Sequence, residues 1–358
     1  MNKAVSDIRK KYDSDNRKKL IILAIGIAAV IIMGIYFVTL GVADTDVPQV
    51  IHAIKAWIGG SLNSGLSEEN KAYKIIVLMR LPRIAMAIIA GIGLAVSGTA
   101  MQAVTRNPLV SPFTMGVSSA SAFGASMCIV FGTGAFFKSE IGIICCAFAA
   151  AVLCMAVVYG ISSHKGMGAE TVVLTGIALN YFFSALTSAV EFFAEEPKLA
   201  AVVQWTFGTF NGTVWSDVIY SGAFVIIFTV IIMVNYLKLN VMASGDDELA
   251  TSLGINPGRT RITMCLASVF MTAAVISFTG VIGFVGLAAP HITRMLVGGD
   301  HKYLIPFSAV TGSALLMISD AVGKTILSPV SIPVGIVVSF LGVPIFVHLI
   351  LKGRRNVQ

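Results

Sequence analysis

Charged side chains are scarce in this chain. Only 12% of its 358 residues are Asp, Glu, Lys or Arg, whereas a soluble protein carries about 25%. Hydrophobic residues make up 56%, and long uncharged runs recur from one end of the sequence to the other. This composition excludes a soluble globular fold and predicts a protein with many membrane spans.

The sequence also lacks the usual patterns of metal, disulfide and catalytic chemistry. Its five cysteines all lie inside apolar runs and form no C-x-x-C pair, so neither a zinc site nor a disulfide framework is indicated. No H-E-x-x-H motif or pair of carboxylates occurs within the runs, which argues against a membrane-embedded enzyme. A passive channel is also disfavoured, because no repeated filter or charged ring is visible.

The uncharged runs predict an all-α membrane protein. Backbone groups in lipid must bond internally, which leaves helices or a closed barrel, and runs of 17 or more residues do not alternate as barrel strands do. The 107–137 run opens with two prolines in NPLVSP, which predicts a loop followed by one span at about 113–132. The runs are 20–43, 84–105, 107–137, 141–163, 171–190, 218–237, 262–293, 303–319 and 325–351.

The run over 262–293 is too long for one span. At about 1.5 Å per residue a single helix would be roughly 48 Å long, against about 30 Å of bilayer hydrocarbon. We therefore expect the chain to fold back at Thr279-Gly280. Counting this run as two spans gives ten in total.

The distribution of charge supports an even number of spans. The basic arm 1–19 holds seven Lys and Arg, and the tail 353–358 follows Lys352 with two more. Both ends are therefore predicted to be cytoplasmic, with a single ten-span domain over 20–352 between them. This topology places 17 of the 25 basic residues inside. The net charge of +7 then reflects topology, and a nucleic-acid function is excluded.

The inner loop 238–261 carries the pattern of a short amphipathic helix. Ser244 and Asp247 have the spacing of a capping box, and Leu249 and Leu253 lie four residues apart on one face. Asp246 and Glu248 are acidic residues that suit a helix N-terminus. Gly254 and Pro257 are residues that stop a helix. The pattern predicts contact with a cytoplasmic partner, and the alternative is a connecting loop on the membrane surface.

Few charges lie at the outer membrane surface. Arg80 and Arg83 flank Pro82 at the start of span 2, and Lys324 follows Asp320 at the end of span 9. They could anchor the helices at the headgroups or receive an acidic partner. Although Gly323-Lys324-Thr325 resembles the end of a P-loop, the first glycine of that motif is replaced by Ile318, so this chain is not expected to bind ATP there.

Asn180 is a polar residue in the middle of span 5. It could line a polar path, or it could form a hydrogen bond between helices.

Three stretches resemble a known family. RLPRIAMAIIAGIGLAVSGTAMQAVTRNPLVSPFTMGVSSASAFG (80–124) is similar to its span 2 to span 3 signature. GVIGFVGLAAPHITRMLVGGDHKYLIP (280–306) is similar to its span 8 signature, and SDAVGKTILSPVSIPVGIVVSFLGVPIFVHLIL (319–351) to its end. The family is the permease of iron-siderophore, haem and cobalamin ABC importers, the type II importers, and the resemblance covers about 75–350.

The resemblance implies a ten-span permease that forms a homodimer and works with three kinds of partner. Two cytoplasmic ATPases would bind ATP and Mg²⁺, so this chain would hold no cofactor or metal itself. One would dock on the segment Asp246–Pro257. An extracytoplasmic solute-binding protein would place acidic residues on Arg80, Arg83 and Lys324. Asn107 and Leu109 would belong to the cytoplasmic gate.

The resemblance leaves two points open. A ferric siderophore is the expected cargo, with haem and cobalamin as alternatives. The chain could also form one half of a heterodimer with a related permease. Spans 5 and 10 would line much of the translocation path, and lipid surrounds the assembly.

Overall fold

The computed structural model describes residues 2–41, 45–59, 73–164 and 168–353, with side chains over 14–344 of these. This part of the chain is helical. Its first half contains α1 (Asn2–Thr39), α2 (Val47–Ile58), a π-helical segment (Ile75–Arg80), α3 (Leu81–Thr105), α4 (Val117–Phe131), α5 (Gly134–Phe137), α6 (Glu140–His164) and α7 (Ala169–Phe192). Its second half contains α8 (Glu196–Thr206), α9 (Trp215–Val234), α10 (Tyr236–Ser244), α11 (Asp247–Ser252), α12 (Pro257–Thr279), α13 (Val285–Val297), α14 (His301–Thr325) and α15 (Val334–Gly353).

Ten helices of the described chain correspond to the ten predicted spans. Seven are long and apolar enough to cross a bilayer, namely α1, α3 with its π-helical segment, α6, α7, α9, α12 and α14. Three shorter apolar helices, α4, α13 and α15, supply the rest. Because ten is even, the start of the first span and the end of the last lie on the same side of the membrane.

The predicted fold-back in the 262–293 run is confirmed. Helix α12 ends at Thr279, and Gly280 follows with φ 71° and ψ −171°. This conformation is open to glycine but strained for other residues, and a Cβ there would overlap the carbonyl oxygen of Trp205. Helix α13 then begins at Val285. The turn over 106–116 that separates α3 from α4 is likewise where the prolines predicted it.

Helix α3 lies at the centre of the bundle. It packs against α14, α12, α13, α9 and α10, and its small residues allow close approach. A Cβ at Gly91 would overlap the α14 backbone at Gly312 and Ser313, and one at Gly98 would overlap the α13 carbonyl of Gly286. Small residues at helix crossings are typical of membrane bundles, where packing replaces the hydrophobic effect.

Hydroxyl groups add hydrogen bonds to these crossings. Thr272 on α12 donates to the Ser97 hydroxyl of α3 over 3.1 Å. Ser313 on α14 donates to the Ile88 carbonyl of α3 over 3.0 Å. The segment from Ile75 to Thr105 is therefore held on several sides and connects the two ends of the bundle.

The first outer loop contains a short helix, α2. Helix α2 begins after Asp46, whose side chain accepts from Gln49 N over 2.8 Å. The Gln49 side chain accepts from Asp46 N in return, which completes a capping box. Trp57 of α2 stacks on Trp215 of α9 with ring centroids 4.7 Å apart. The stacking fixes the surface helix to the bundle.

Thiol labelling tests the fold-back directly. In a variant with the exposed Cys145 replaced by alanine, Arg259→Cys and Gly299→Cys should both react only from the cytoplasmic side, because α12 and α13 return the chain to the face it left. Both positions are exposed, and a Cβ at Gly299 meets nothing within 4 Å. A membrane-impermeant reagent applied to intact cells and inverted vesicles gives the readout. Labelling from opposite sides would mean that 262–293 crosses once.

Candidate functional site

An ion-pair cluster lies at the outer end of the bundle, where α3 packs along α14. Asp320 is only 2% exposed and accepts from Arg83 through both carboxylate oxygens. The Arg83 Nε lies 3.0 Å from each oxygen, and Nη2 lies 2.7 Å from Oδ1. Lys324, one turn further along α14, pairs with Oδ2 of the same carboxylate at 2.9 Å. One buried anion is thus shared between two cations on two helices.

The Arg80 side chain is buried instead, against the end of α1. It is 8% exposed, and its Nη1 donates to the Val38 carbonyl over 2.8 Å and to the Thr39 carbonyl over 3.2 Å. It also donates to the Thr45 hydroxyl. Arg80 was expected among the charges at the outer membrane surface, and its burial corrects that expectation. Its guanidinium ties the end of α1 to the start of span 2.

A cavity of about 590 Å³ adjoins the cluster. Arg80, Arg83 and Lys324 line it on one side, and the turn Phe210–Val214 lines the other. Asn211 of that turn accepts a hydrogen bond from Arg83. The predicted docking residues are therefore brought together, but as a recessed pocket and not as projecting charges. Their docking role stays a prediction.

At the inner end, the loop 238–261 is mostly helical, and the predicted capping box of Ser244 and Asp247 is wrong. Ser244 does not cap α11, because it is the last residue of α10 and its hydroxyl donates to the Asn240 carbonyl over 2.8 Å. Asp246 is the N-cap, and its carboxylate accepts from Leu249 N over 2.8 Å. Asp and Ser cap helices equally well, which explains the error.

The predicted end of this helix is half correct. Leu253 is the C-cap of α11, and Gly254 follows with φ 77°. Ile255 N donates to the Ala250 carbonyl over 2.9 Å, which closes the helix end. Pro257 does not stop this helix. It stands in the first turn of α12, after Asn256, which caps α12. Proline suits that position because its missing N–H has no partner in the first turn.

Helix α11 has two different faces. Leu249 is 45% exposed and Leu253 is 59% exposed, and Glu248 is exposed beside them. Asp247 is half-buried and Ala250 is buried, so these two form the inner face. The leucines therefore present an apolar surface away from the bundle.

Asp247 forms two ion pairs that the sequence pattern did not predict. Its carboxylate pairs with Arg106, which follows α3, and with Arg261 of α12 at 3.1 Å. Arg261 is 1% exposed, and its Nε donates to the Val104 carbonyl of α3 over 3.0 Å. The available signal was that Arg106 follows one uncharged run, 84–105, and Arg261 precedes another, 262–293. Sequence spacing could not show that both meet one carboxylate.

The predicted gate residues lie in the turn after α3. Arg106 has φ 53°, a left-handed conformation, and closes the helix. The Asn107 side chain accepts from Leu109 N over 3.0 Å, which stabilises the turn. Leu109 is exposed at its tip. The gate role of both residues stays a prediction.

Asn180 on α7 accepts a hydrogen bond from Ser119 on α4 over 2.6 Å. Of the two interpretations of Asn180, the bond between helices is present. A role in the translocation path stays a prediction. In the described residues, no group of three His, Cys, Asp or Glu is placed to hold a metal ion.

The family model described as the FecCD transport family matches residues 28–352. The chain belongs to this family. It is 37% identical to a protein of Methanocaldococcus jannaschii that is provisionally named an ABC transporter permease, over 98% of this chain and 100% of that one. It is 34% identical to the Fe(3+)-citrate import system permease of Bacillus subtilis, over 96% of this chain and 98% of that one.

A solved structure is also similar. It is described as an inward-facing conformation of a candidate metal-chelate type ABC transporter, with a TM-score of 0.80 and 29% identity, over 92% of this chain and 99% of that one. Other relatives are named as hemin and cobalamin import permeases, from Yersinia pestis and Halobacterium salinarum. The predicted family and fold are thus confirmed. The protein is a multi-pass transport permease of the prokaryotic cytoplasmic membrane.

Removal of the shared anion tests the outer cluster. Asp320→Asn should destabilise the fold by about 3–5 kcal/mol, because two buried cations lose their counter-charge. Thermal unfolding in detergent measures the effect. Glu140→Gln is the matched control, since Glu140 is an exposed carboxylate without an ion pair in the described structure. Equal melting temperatures for both variants would show that the cluster contributes nothing to stability.

Proposed function

We propose that this chain is the permease subunit of an ATP-driven importer that moves a ferric siderophore or a related metal chelate into the cell. The family match over residues 28–352 carries this proposal, because it runs from within the first span to the end of the last. Relatives named for ferric citrate, hemin and cobalamin share a metal chelate as cargo. The ferric chelate is preferred because ferric citrate is the cargo of a relative similar over almost the whole chain.

We assign ATP hydrolysis to a separate subunit that holds ATP and Mg²⁺. The P-loop-like residue Lys324 has its amine on Asp320 at the outer end of the bundle, far from any cytoplasmic nucleotide. The outward leucines of α11 supply the apolar contact for that subunit. Two ATPases and two permeases would form the membrane complex, with the same chain as the second permease.

We place the translocation path between the two permeases. Tyr181 and Phe182 of α7 and Phe340 of α15 are well exposed in the single chain. Asn180 stands next to the exposed pair on α7. A second copy packed near these helices would enclose a path for a large chelate, whose specific recognition would rest mainly with the binding protein.

Uptake of radiolabelled iron tests the function. Cells without their own importers that express the complete system should accumulate iron from ferric citrate or a ferric hydroxamate in an ATP-dependent manner. Excess unlabelled ferric chelate should abolish uptake, and haem or cobalamin should not. Competition by haem or cobalamin would reassign the cargo. If labelled ferric chelate, haem and cobalamin, each supplied in turn, all failed to accumulate, the proposal would be rejected.

An α11 variant supplies the control for ATP coupling. Leu249→Asp with Leu253→Asp should abolish uptake while the permease still reaches the membrane, since a charge in an apolar contact costs several kcal/mol. The matched control is Leu249→Met with Leu253→Met, which keeps both apolar groups and should transport normally. Normal uptake by the Asp variant would show that α11 does not contact the ATPase.

We propose that the outer cavity receives an acidic side chain of the binding protein. Two of the cations that line it, Arg83 and Lys324, share the single carboxylate of Asp320, which leaves an excess of positive charge. An incoming carboxylate would balance this excess. The recessed geometry favours one inserted acidic residue over a flat charged contact.

Removal of one lining charge tests this docking site. Lys324→Met leaves the Arg83–Asp320 pair intact and should weaken binding of the purified binding protein at low salt, by about 0.2–1 kcal/mol for a solvated pair. The salt dependence should also decrease. Lys138→Met removes an exposed outer lysine without an ion pair in the described structure and serves as control. Equal affinities of the two variants across salt concentrations would place docking elsewhere.

A further inference from the structure

Helix α11 depends on few contacts for its position. It has six residues, Asp247–Ser252, with Gly245 before it and Gly254 after it. Glycine on both sides makes its backbone connections permissive. Of its six residues, Ala250 is buried, Asp247 is partly exposed and the other four are exposed. The orientation of α11 relative to the spans therefore rests on these two inner residues.

Asp247 is the directional contact of the two. The Ala250 methyl group adds close packing, which allows a helix to slide or turn. The Asp247 carboxylate instead accepts from two guanidinium groups, Arg106 and Arg261. Charge-assisted bonds of this kind have a strong geometric preference. The pairing therefore sets the position of α11 along its neighbours.

The two arginines differ in how firmly they are held. Arg261 is fully buried on α12 and also donates to the Val104 carbonyl, so it is a fixed anchor. The Arg106 side chain is 31% exposed and belongs to the turn after α3. One carboxylate thus bridges a fixed point and the start of the turn.

The turn beyond Arg106 is stiff. Asn107 N donates to the Gln102 carbonyl over 3.2 Å, and the Asn107 side chain accepts from Leu109 N over 3.0 Å. Pro108 between them has a fixed φ. A displacement applied at Arg106 would therefore reach Leu109 without being absorbed by loose backbone.

We propose that Asp247 is a positioning residue that joins the ATPase-facing helix α11 to the Asn107–Leu109 turn, so that movement of the helix moves the turn. The proposal rests on the proposed function for the identity of the partner. The three acidic residues then have separate tasks. Asp246 caps the helix, Glu248 faces outward, and Asp247 transmits displacement through Arg106.

The transport arm of the test uses the reconstituted complex and compares iron taken up per ATP hydrolysed. Asp247→Asn should lower this ratio at least about fivefold, a typical size for coupling between sites, while assembly and ATP hydrolysis persist. Asp247→Glu should recover part of it, because the charge is kept. Arg106→Gln should also lower the ratio. The ratio for the double variant, Asp247→Asn with Arg106→Gln, should be no lower than that for Asp247→Asn alone. The neutral asparagine has already removed the ion pair between residues 247 and 106.

The second arm measures hydrogen–deuterium exchange of the purified permease alone. Asp247→Asn should raise exchange in both α11 and the 106–116 turn. Glu170→Gln is the matched control. Glu170 also lies in the first turn of a helix, is exposed, and has no ion pair in the described part of the chain. It should leave exchange in both segments unchanged.

The outcomes separate the two proposals. If the wild-type complex moves no chelate, the proposed function fails, and the exchange arm still decides the role of Asp247. If Asp247→Asn keeps the wild-type transport ratio, or if its effect adds to that of Arg106→Gln, the relay is wrong. Exchange raised in α11 but unchanged in the 106–116 turn would overturn it equally. A misfolded Asp247→Asn would melt early, and Arg106→Gln, at an exposed position, then carries the test.

Discussion

The close contact of α3 with α13 and α14 is the constraint on which the rest of the structure depends. At Gly91 and Gly98 the helices meet backbone to backbone, without room for a methyl group. Because lipid provides no hydrophobic drive between helices, such contacts and the hydroxyl bonds around them replace it. With α3 held in this way, its two ends have defined positions, and each end carries an ion-pair site.

The two sites use charge differently. At the outer end the single carboxylate Asp320 is buried between Arg83 and Lys324, so the anion is the fixed element. At the inner end a buried cation, Arg261, is fixed, and the partly exposed Asp247 is the element that can move. The outer arrangement suits a receptor for a partner's charge. The inner arrangement suits transmission of a displacement.

Features that depend on local sequence could be predicted, and features that depend on distant neighbours could not. The fold-back at Gly280 followed from the length of one apolar run and the conformational freedom of glycine, and the turn after α3 followed from its prolines. The burial of Arg80 depends on the Val38 carbonyl of another helix, and the ion pairs of Asp247 depend on two other helices. Ser244 was misread because serine occurs both at helix caps and inside helices. Pro257 was misread because proline occurs both after the end of a helix and in the first turn of the next.

The continuous helix from Ile75 to Thr105 also determines how this protein can vary. Both of its ends are engaged, through Arg83 at one and Arg106 at the other. One inserted residue between them would turn one end relative to the other by about 100° and shift it by about 1.5 Å. It would also take Gly91 or Gly98 away from its crossing point. The length of this segment is therefore as restricted as its composition.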